Sequence, residues 1–87
     1  MEIEFDPAKD AANVAKHGIS LRQTGELDIV AVVESSRPED GERRFRLYGL
    51  IEETPYCAVV TWRQGAARAI SLRRANRMER KRYGLEA

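Results

Sequence analysis

The chain has 87 residues, one cysteine, one histidine and a formal net charge of +1. A single cysteine excludes an intramolecular disulfide, and no apolar run reaches the roughly 18 residues of a membrane span. Length and composition therefore predict a single domain, residues 1–87, in the cytoplasm and without membrane attachment.

The first part of the chain predicts a short strand and two helices. The letters IEFD favour the strand, and Asp6 followed by Pro7 is the preferred order for a helix N-cap and first turn. In this helix the alanines are spaced to form an apolar face, and the polar residues share the other side: Lys9, Asn13, Lys16 and His17. Gly18 ends the helix, and Ser20 opens a second, shorter helix within SLRQTGELD.

The remaining chain predicts four consecutive strands and a last helix. The strands lie in IVAVVESS, RFRLYGLI, YCAVVTW and RAISLRR, so an antiparallel meander is expected. Asn76 with Glu79 three residues later predicts a capping box that opens the helix NRMERKRYGLEA. The fold class is therefore α+β, in the order β-α-α-β-β-β-β-α. The first two helices are expected on one face of the antiparallel sheet, and the last helix beside the open face.

Strand alternation predicts which side chains share that open face. Phe45, Leu47 and Ile51 alternate with Arg46 and Tyr48, so the apolar set should point to the core and the polar pair away from it. By the same rule Ile70 and Leu72 share one face of RAISLRR, and Ser71 and Arg73 share the other. YCAVVTW is apolar on both sides, which predicts a central strand. It leaves open whether Trp62 or Arg63 faces the open surface.

Charge is distributed unevenly along the chain. Residues 1–42 carry ten acidic and four basic side chains, whereas residues 63–87 carry eight basic and two acidic ones. Seven of those eight bases are arginines, whose guanidinium groups match phosphate oxygens in pairs. The pattern favours contact with phosphate, and the alternative is a solvated basic helix that pairs with acids.

Two spaced motifs resemble those of the BrnT toxin family: F-D-P-x-K-x-x-x-N-x-x-K-H-G-I-S at residues 5–20 and I-S-x-R-x-A-x-x-x-E-R-x-x-Y at residues 70–83. The resemblance implies a RelE-like fold and an endoribonuclease of a type II toxin–antitoxin system. It also implies a BrnA-like antitoxin whose ribbon-helix-helix segment binds operator DNA, so that DNA is bound only through the complex. Three positions depart from the usual family pattern: Phe5, Leu21 and Leu72.

Cleavage of RNA by its own 2′-OH requires a group that takes the proton, cations that stabilise the phosphorane, and a donor to the leaving oxygen. The sequence lacks the spacing of metal ligands, so neither a metal nor another cofactor is expected. Arg73, backed by Arg63, is the first candidate for stabilising the phosphorane. The proton carriers are expected among His17, Glu79 and Tyr83.

RNA is expected to lie against side chains that are basic or aromatic: Lys9, Lys16, Arg46, Tyr48, Arg74, Arg77 and Arg80. An acidic or amphipathic antitoxin is expected to cover these groups. Structural alternatives remain, since Arg73 could simply pair with Glu79 and His17 could only close its helix. A second functional class is a non-catalytic module that binds nucleic acid or protein through the basic C-terminal segment.

Overall fold

The computed structural model describes residues 2–86, except for the side chain of residue 40. The described chain forms a sheet, two α-helices and two short 3₁₀ segments, which confirms the α+β class. The elements are β1 Ile3–Glu4, α1 Pro7–His17, a 3₁₀ segment Leu21–Glu26, β2 Asp28–Glu34, a 3₁₀ segment Pro38–Asp40, β3 Arg44–Ile51, β4 Thr54–Arg63, β5 Ala66–Arg74 and α2 Arg77–Arg82.

The five strands lie in the order β1-β5-β4-β3-β2. Strands β2 to β5 form the predicted antiparallel meander, with β4 at its centre. β1 runs parallel to β5, so the sheet is mixed and not purely antiparallel. Within residues 2–86, no helix is long and apolar enough to cross a membrane.

The hydrophobic core lies on one face of this sheet, which we call the core face. Leu21, the first residue of the 3₁₀ segment Leu21–Glu26, and Leu27, its C-cap, pack on Leu47 of β3 and Leu72 of β5. The predicted alternation of β3 is confirmed, because Tyr48 belongs to a separate cluster on the opposite, open face. Burial of these leucines supplies much of the driving force, at about 2 kcal/mol for each side chain.

Helix α1 packs with the opposite side from the one predicted. Ala8 and Ala12 are exposed, whereas Asn13 is buried. The Asn13 amide donates to the carbonyl oxygens of Ile19 and Leu72, each at 2.9 Å, and its Oδ1 accepts from the Leu72 N–H at 3.2 Å. Asn13 thus pairs with the backbone groups of Leu72 at the edge of β5, beyond the end of β1. Alanine side chains could not form these hydrogen bonds.

Two positions show where tertiary structure modifies the strands. The β4–β5 register shifts at Val59 and Val60, which leaves Ile70 without a partner. Ile70 lines a groove beside α1 and does not join Leu72 in the core, so the predicted alternation is wrong there. On β3, a Cβ at Gly49 would overlap the carbonyl oxygen of Asp28 in β2, so glycine is required for this close approach.

The last helix is shorter than predicted. It ends at Arg82 with Tyr83 as its C-cap, and Gly84 adopts a left-handed conformation with φ 67°. This geometry turns the chain back, so that Leu85 packs on Tyr48 and Cys57. The segment therefore covers one end of the open face, and the predicted helical residue 87 lies outside the described residues.

Candidate active site

An ion pair between β5 and α2 fixes one end of the open face. The two Nη atoms of Arg73 donate to the two carboxylate oxygens of Glu79, at 2.7 and 2.9 Å. Glu79 also accepts from the Tyr48 hydroxyl at 2.9 Å and from the Asn76 N–H at 2.9 Å. The Asn76 side chain accepts from the Glu79 N–H, which completes the predicted capping box.

These contacts perturb the titration of both partners. The bidentate bonds from Arg73 lower the pKa of Glu79 to about 2, and the same bonds raise the pKa of Arg73. A carboxyl group with such a pKa stays ionised near neutral pH. The geometry therefore favours Glu79 as an anchor for Arg73 and α2, and does not favour it as a general base.

Two stacked tyrosines lie next to this pair. The rings of Tyr48 and Tyr83 are 4.3 Å apart at an interplanar angle of 24°. Only 3% of Tyr48 is exposed, and this burial is the main reason that its pKa rises to about 12. Cys57 is fully buried in the same cluster, and burial raises the pKa of its thiol. Tyr48 therefore supports Tyr83, and its ring offers no free face to a nucleobase.

Two polar hollows meet at Arg46 on the open face. The tyrosine hollow has a volume of about 250 Å³ and is lined by Arg46, Tyr48, Asn76, Met78, Glu79, Arg82 and Tyr83. The arginine hollow has a volume of about 330 Å³ and is lined by Ser35, Arg37, Arg44, Arg46 and Val59. Among the side chains that the structure describes, no carboxylate forms an ion pair with Arg46. Its charge is thus available to an anion in either hollow.

A third hollow, the histidine groove, lies between α1 and β5. Its volume is about 240 Å³, and it is lined by Lys9, Ala12, Asn13, Lys16, His17, Ile70 and Ser71. Ser71 pairs in register with Val59, which in turn pairs with Arg46. Ser71 and Arg73 share one face of β5 at a separation of roughly 7 Å, set by the rise of a strand. The groove therefore borders the surface that carries Arg46 and Arg73.

Helix α1 ends as the sequence predicts. Gly18 is left-handed, with φ 72°, and its N–H donates to the Val14 carbonyl oxygen at 2.8 Å. The helix is therefore closed by backbone geometry, while the exposed His17 side chain lines the groove. Closure of the helix and a chemical role for His17 are compatible.

Other predicted site residues lie elsewhere. Arg63 binds Glu42 at 2.9 Å, near the far end of β4. Arg63 lies six residues after Cys57 on β4, and Cys57 is the register partner of Arg73. The two arginines are therefore roughly 20 Å apart, so Arg63 does not support Arg73 at the site. Arg74 alternates to the core-face side. The Arg80 side chain donates to the Ala75 carbonyl oxygen at 2.8 Å and so ties α2 to the connection that follows β5.

The exposed Arg77 lies on α2 outside the tyrosine hollow. The structure instead adds two residues that the sequence analysis missed, Met78 and Arg82. Arg82 follows Glu79 by three residues, and this spacing places two side chains on neighbouring parts of a helix surface. Helical spacing from Glu79 could therefore have identified Arg82, whereas nothing in the sequence singles out Met78.

Residues 5–79 match the family described as ribonuclease toxin, BrnT, of type II toxin-antitoxin system. The chain belongs to the BrnT family. This confirms the resemblance seen in the sequence, and it implies an RNA substrate and an antitoxin partner. Comparison with curated proteins and with solved structures gave no match. Three parts of the candidate site, His17, Arg46 and the Arg73–Glu79 pair, lie within the matched residues, and Tyr83 lies beyond them.

The Arg73–Glu79 pair predicts a specific acid sensitivity. The pKa of Glu79 falls from 4.5 to about 2 on folding. Its contribution to the free energy of unfolding is therefore complete above pH 4.5 and is lost as the pH falls towards 2. Glu79→Gln should therefore be less stable than the parent at pH 7, and the difference should shrink at pH 3. Urea unfolding at both pH values measures it.

Glu34 provides the internal control for this experiment. Its hydrogen bonds with Arg43 lower its pKa to about 2 as well, but both proteins retain that pair, so its effect cancels in the difference. Parallel stability profiles for the parent and Glu79→Gln would show that the ion pair contributes nothing to the native state.

Proposed function

We propose that this BrnT-family chain is a metal-independent endoribonuclease that cleaves RNA by 2′-OH attack and thereby inhibits translation and growth in the cytoplasm. The observation that carries this proposal is the continuity of the open face. The histidine groove beside β5, Arg46 on β3 and the Arg73–Glu79 pair between β5 and α2 lie on one surface of three neighbouring strands. Its antitoxin is a BrnA-like ribbon-helix-helix protein, and operator DNA is bound only by the complex.

Arginines supply the positive charge at this site. Arg46 borders both polar hollows, and Arg82 lines the tyrosine hollow from α2. Arg73 lies between the histidine groove and α2, with 31% of its side chain exposed and its orientation fixed by Glu79. A phosphate over Ser71 and Val59 would lie among these guanidinium groups, which pair with phosphate oxygens and stay charged as the phosphorane forms.

His17 is the proposed proton carrier on the other side of that phosphate. Histidine is the side chain that ordinarily exchanges protons near neutral pH, and the histidine groove also contains Lys9 and Lys16, which attract the RNA backbone. Tyr83 is partly exposed above Tyr48 and is the proposed second proton carrier or stacking residue. Glu79 acts through Arg73, which it positions.

Purified protein free of antitoxin is expected to cleave single-stranded RNA in the presence of EDTA. The products should carry 2′,3′-cyclic phosphate or 3′-phosphate ends, because the attacking oxygen comes from the RNA itself. Gel analysis of end-labelled RNA measures both properties. A requirement for added Mg²⁺ would refute the proposed chemistry, and binding without cleavage would favour the non-catalytic module.

Arg46→Ala extends the same assay to the proposed phosphate site. We expect a loss of about 10- to 100-fold in cleavage rate, because the arginine contributes a charge-assisted bond and no described carboxylate is released by its removal. Arg22→Ala is the matched control, since Arg22 is an exposed arginine of the 3₁₀ segment Leu21–Glu26, which packs on the core face, opposite Arg46. Equal cleavage rates of the two variants would show that Arg46 is not part of the site.

A further inference from the structure

An apolar groove lies on the core face, on the side of the sheet opposite Arg46. Its volume is about 530 Å³, and it is lined by Ile29, Val32, Arg43, Phe45, Leu47, Val60, Trp62 and Ala67. Trp62 and Val32 are 58% and 59% exposed. The 3₁₀ segment covers the remainder of this face with Leu21 and Leu27, so the groove is the uncovered part of an otherwise buried surface.

Strand β2 forms the border of this groove and is itself incompletely covered. Among the described strands it pairs only with β3, so its outer edge presents backbone N–H and C=O groups to a partner. The register shift at Val30 leaves that side chain 52% exposed. An apolar strand that is unpaired along its outer edge and lies next to an open apolar groove is a typical protein-binding surface.

The charges at this surface select its occupant. Among the described residues that line the groove, Arg43 is the one cation, and its guanidinium is held by Glu34 at 2.8 and 3.1 Å. An apolar surface without a free cation does not suit RNA. A second copy of the chain is the competing occupant, and the oligomeric state of the parent distinguishes it.

A partner with an apolar segment fits the groove, and a basic flanking residue fits the exposed Asp28 at the start of β2. Membership in a toxin family of type II toxin–antitoxin systems implies a protein partner, the antitoxin. We propose that the antitoxin docks on the apolar groove and β2, on the face opposite Arg46. This placement follows from family membership and from the groove, and it does not depend on which residues cleave RNA.

Two adjacent residues of β2 provide a matched test. Val32 pairs with Leu47 and faces the groove, whereas Val33 pairs with Arg46 and faces away from it. The protein encoded next to the toxin gene serves as the probe, and its Kd is measured by calorimetry. Val32→Lys should raise the Kd at least tenfold, because a lysine would be buried against apolar side chains. Val33→Lys should change it less than about twofold.

Both valines are exposed, so each variant is expected to fold, and circular dichroism with thermal melting verifies this. RNA cleavage by the free variants is measured in parallel. If the parent lacks ribonuclease activity while Val32→Lys still loses the partner, the docking surface stands and the proposed function fails.

Three results would overturn the proposal. A larger effect of Val33→Lys than of Val32→Lys would place the antitoxin on the open face, as the sequence alone suggested. A lack of binding by the neighbouring gene product to the parent would show that it is not the occupant. A parent dimer in light scattering that Val32→Lys converts to a monomer would identify a second copy as the occupant.

Discussion

His17→Asn is expected to lower the rate of RNA cleavage by about 10²- to 10⁴-fold, the usual range for a positioned acid or base. The melting temperature should change little, because Gly18 closes α1 through its own backbone and the His17 side chain is exposed. An imidazole ordinarily changes charge between about pH 5 and 8. The shape of the pH–rate profile should therefore differ between the parent and His17→Asn, because the substitution removes a side chain that can carry a proton.

Lys16→Asn distinguishes proton transfer from attraction of the RNA backbone. Lys16 lines the same groove and carries a charge, but lysine does not exchange protons near neutral pH. Its loss should weaken RNA binding and leave the shape of the pH profile intact. If His17→Asn stayed within twofold of the parent at every pH, His17 would have no chemical role and the arginines alone would account for catalysis.

Asn13→Ala is expected to destabilise the fold by roughly 2 to 4 kcal/mol. The substitution removes three hydrogen bonds and leaves buried backbone groups of Leu72 and Ile19 without partners. For a domain of this size, a change of that magnitude lowers the melting temperature by roughly 10 to 25 °C.

Lys9→Ala is the control for Asn13→Ala. Lys9 lies one turn earlier on the same side of α1 but is exposed, so its loss should stay within about 0.5 kcal/mol. Differential scanning calorimetry of both variants measures the contrast. Similar melting temperatures for Asn13→Ala and Lys9→Ala would mean that β5 does not depend on the side-chain bonds at its edge.

Local sequence signals predicted most of the fold. The alternation of Leu47 and Tyr48, the Asn76–Glu79 capping box and the glycine that ends α1 each depend on residues close in sequence, and all three are confirmed. The packing of α1 was predicted wrongly. Its buried residue binds Leu72, 59 positions away, and helical periodicity contains no information about that partner.

The candidate site was predictable in part for the same reason. Alternation placed Arg46 and Arg73 on one face, as the strand registers confirm. The distance of Arg63 from Arg73 follows from the length of β4 and could have been estimated from the predicted strand. The sequence analysis allowed Arg73 to pair with Glu79 as a structural alternative, and the bidentate bonds confirm that pairing. The fourth contact of this cluster, from the Tyr48 hydroxyl, depends on how α2 lies against the sheet, which neither composition nor strand pattern determines.

The two edges of the sheet differ in a way that limits assembly. At one edge, β5 is covered by the two-residue strand β1 and by the side chain of Asn13, so only a short strand is left unpaired there, while at the other edge β2 leaves seven residues unpaired. Head-to-tail polymerisation through strands needs two complementary open edges on every molecule. Among the described strands, no second edge of comparable length is open to another copy. Complexes formed at β2 are therefore expected to be finite, so the protein can expose this strand without forming filaments.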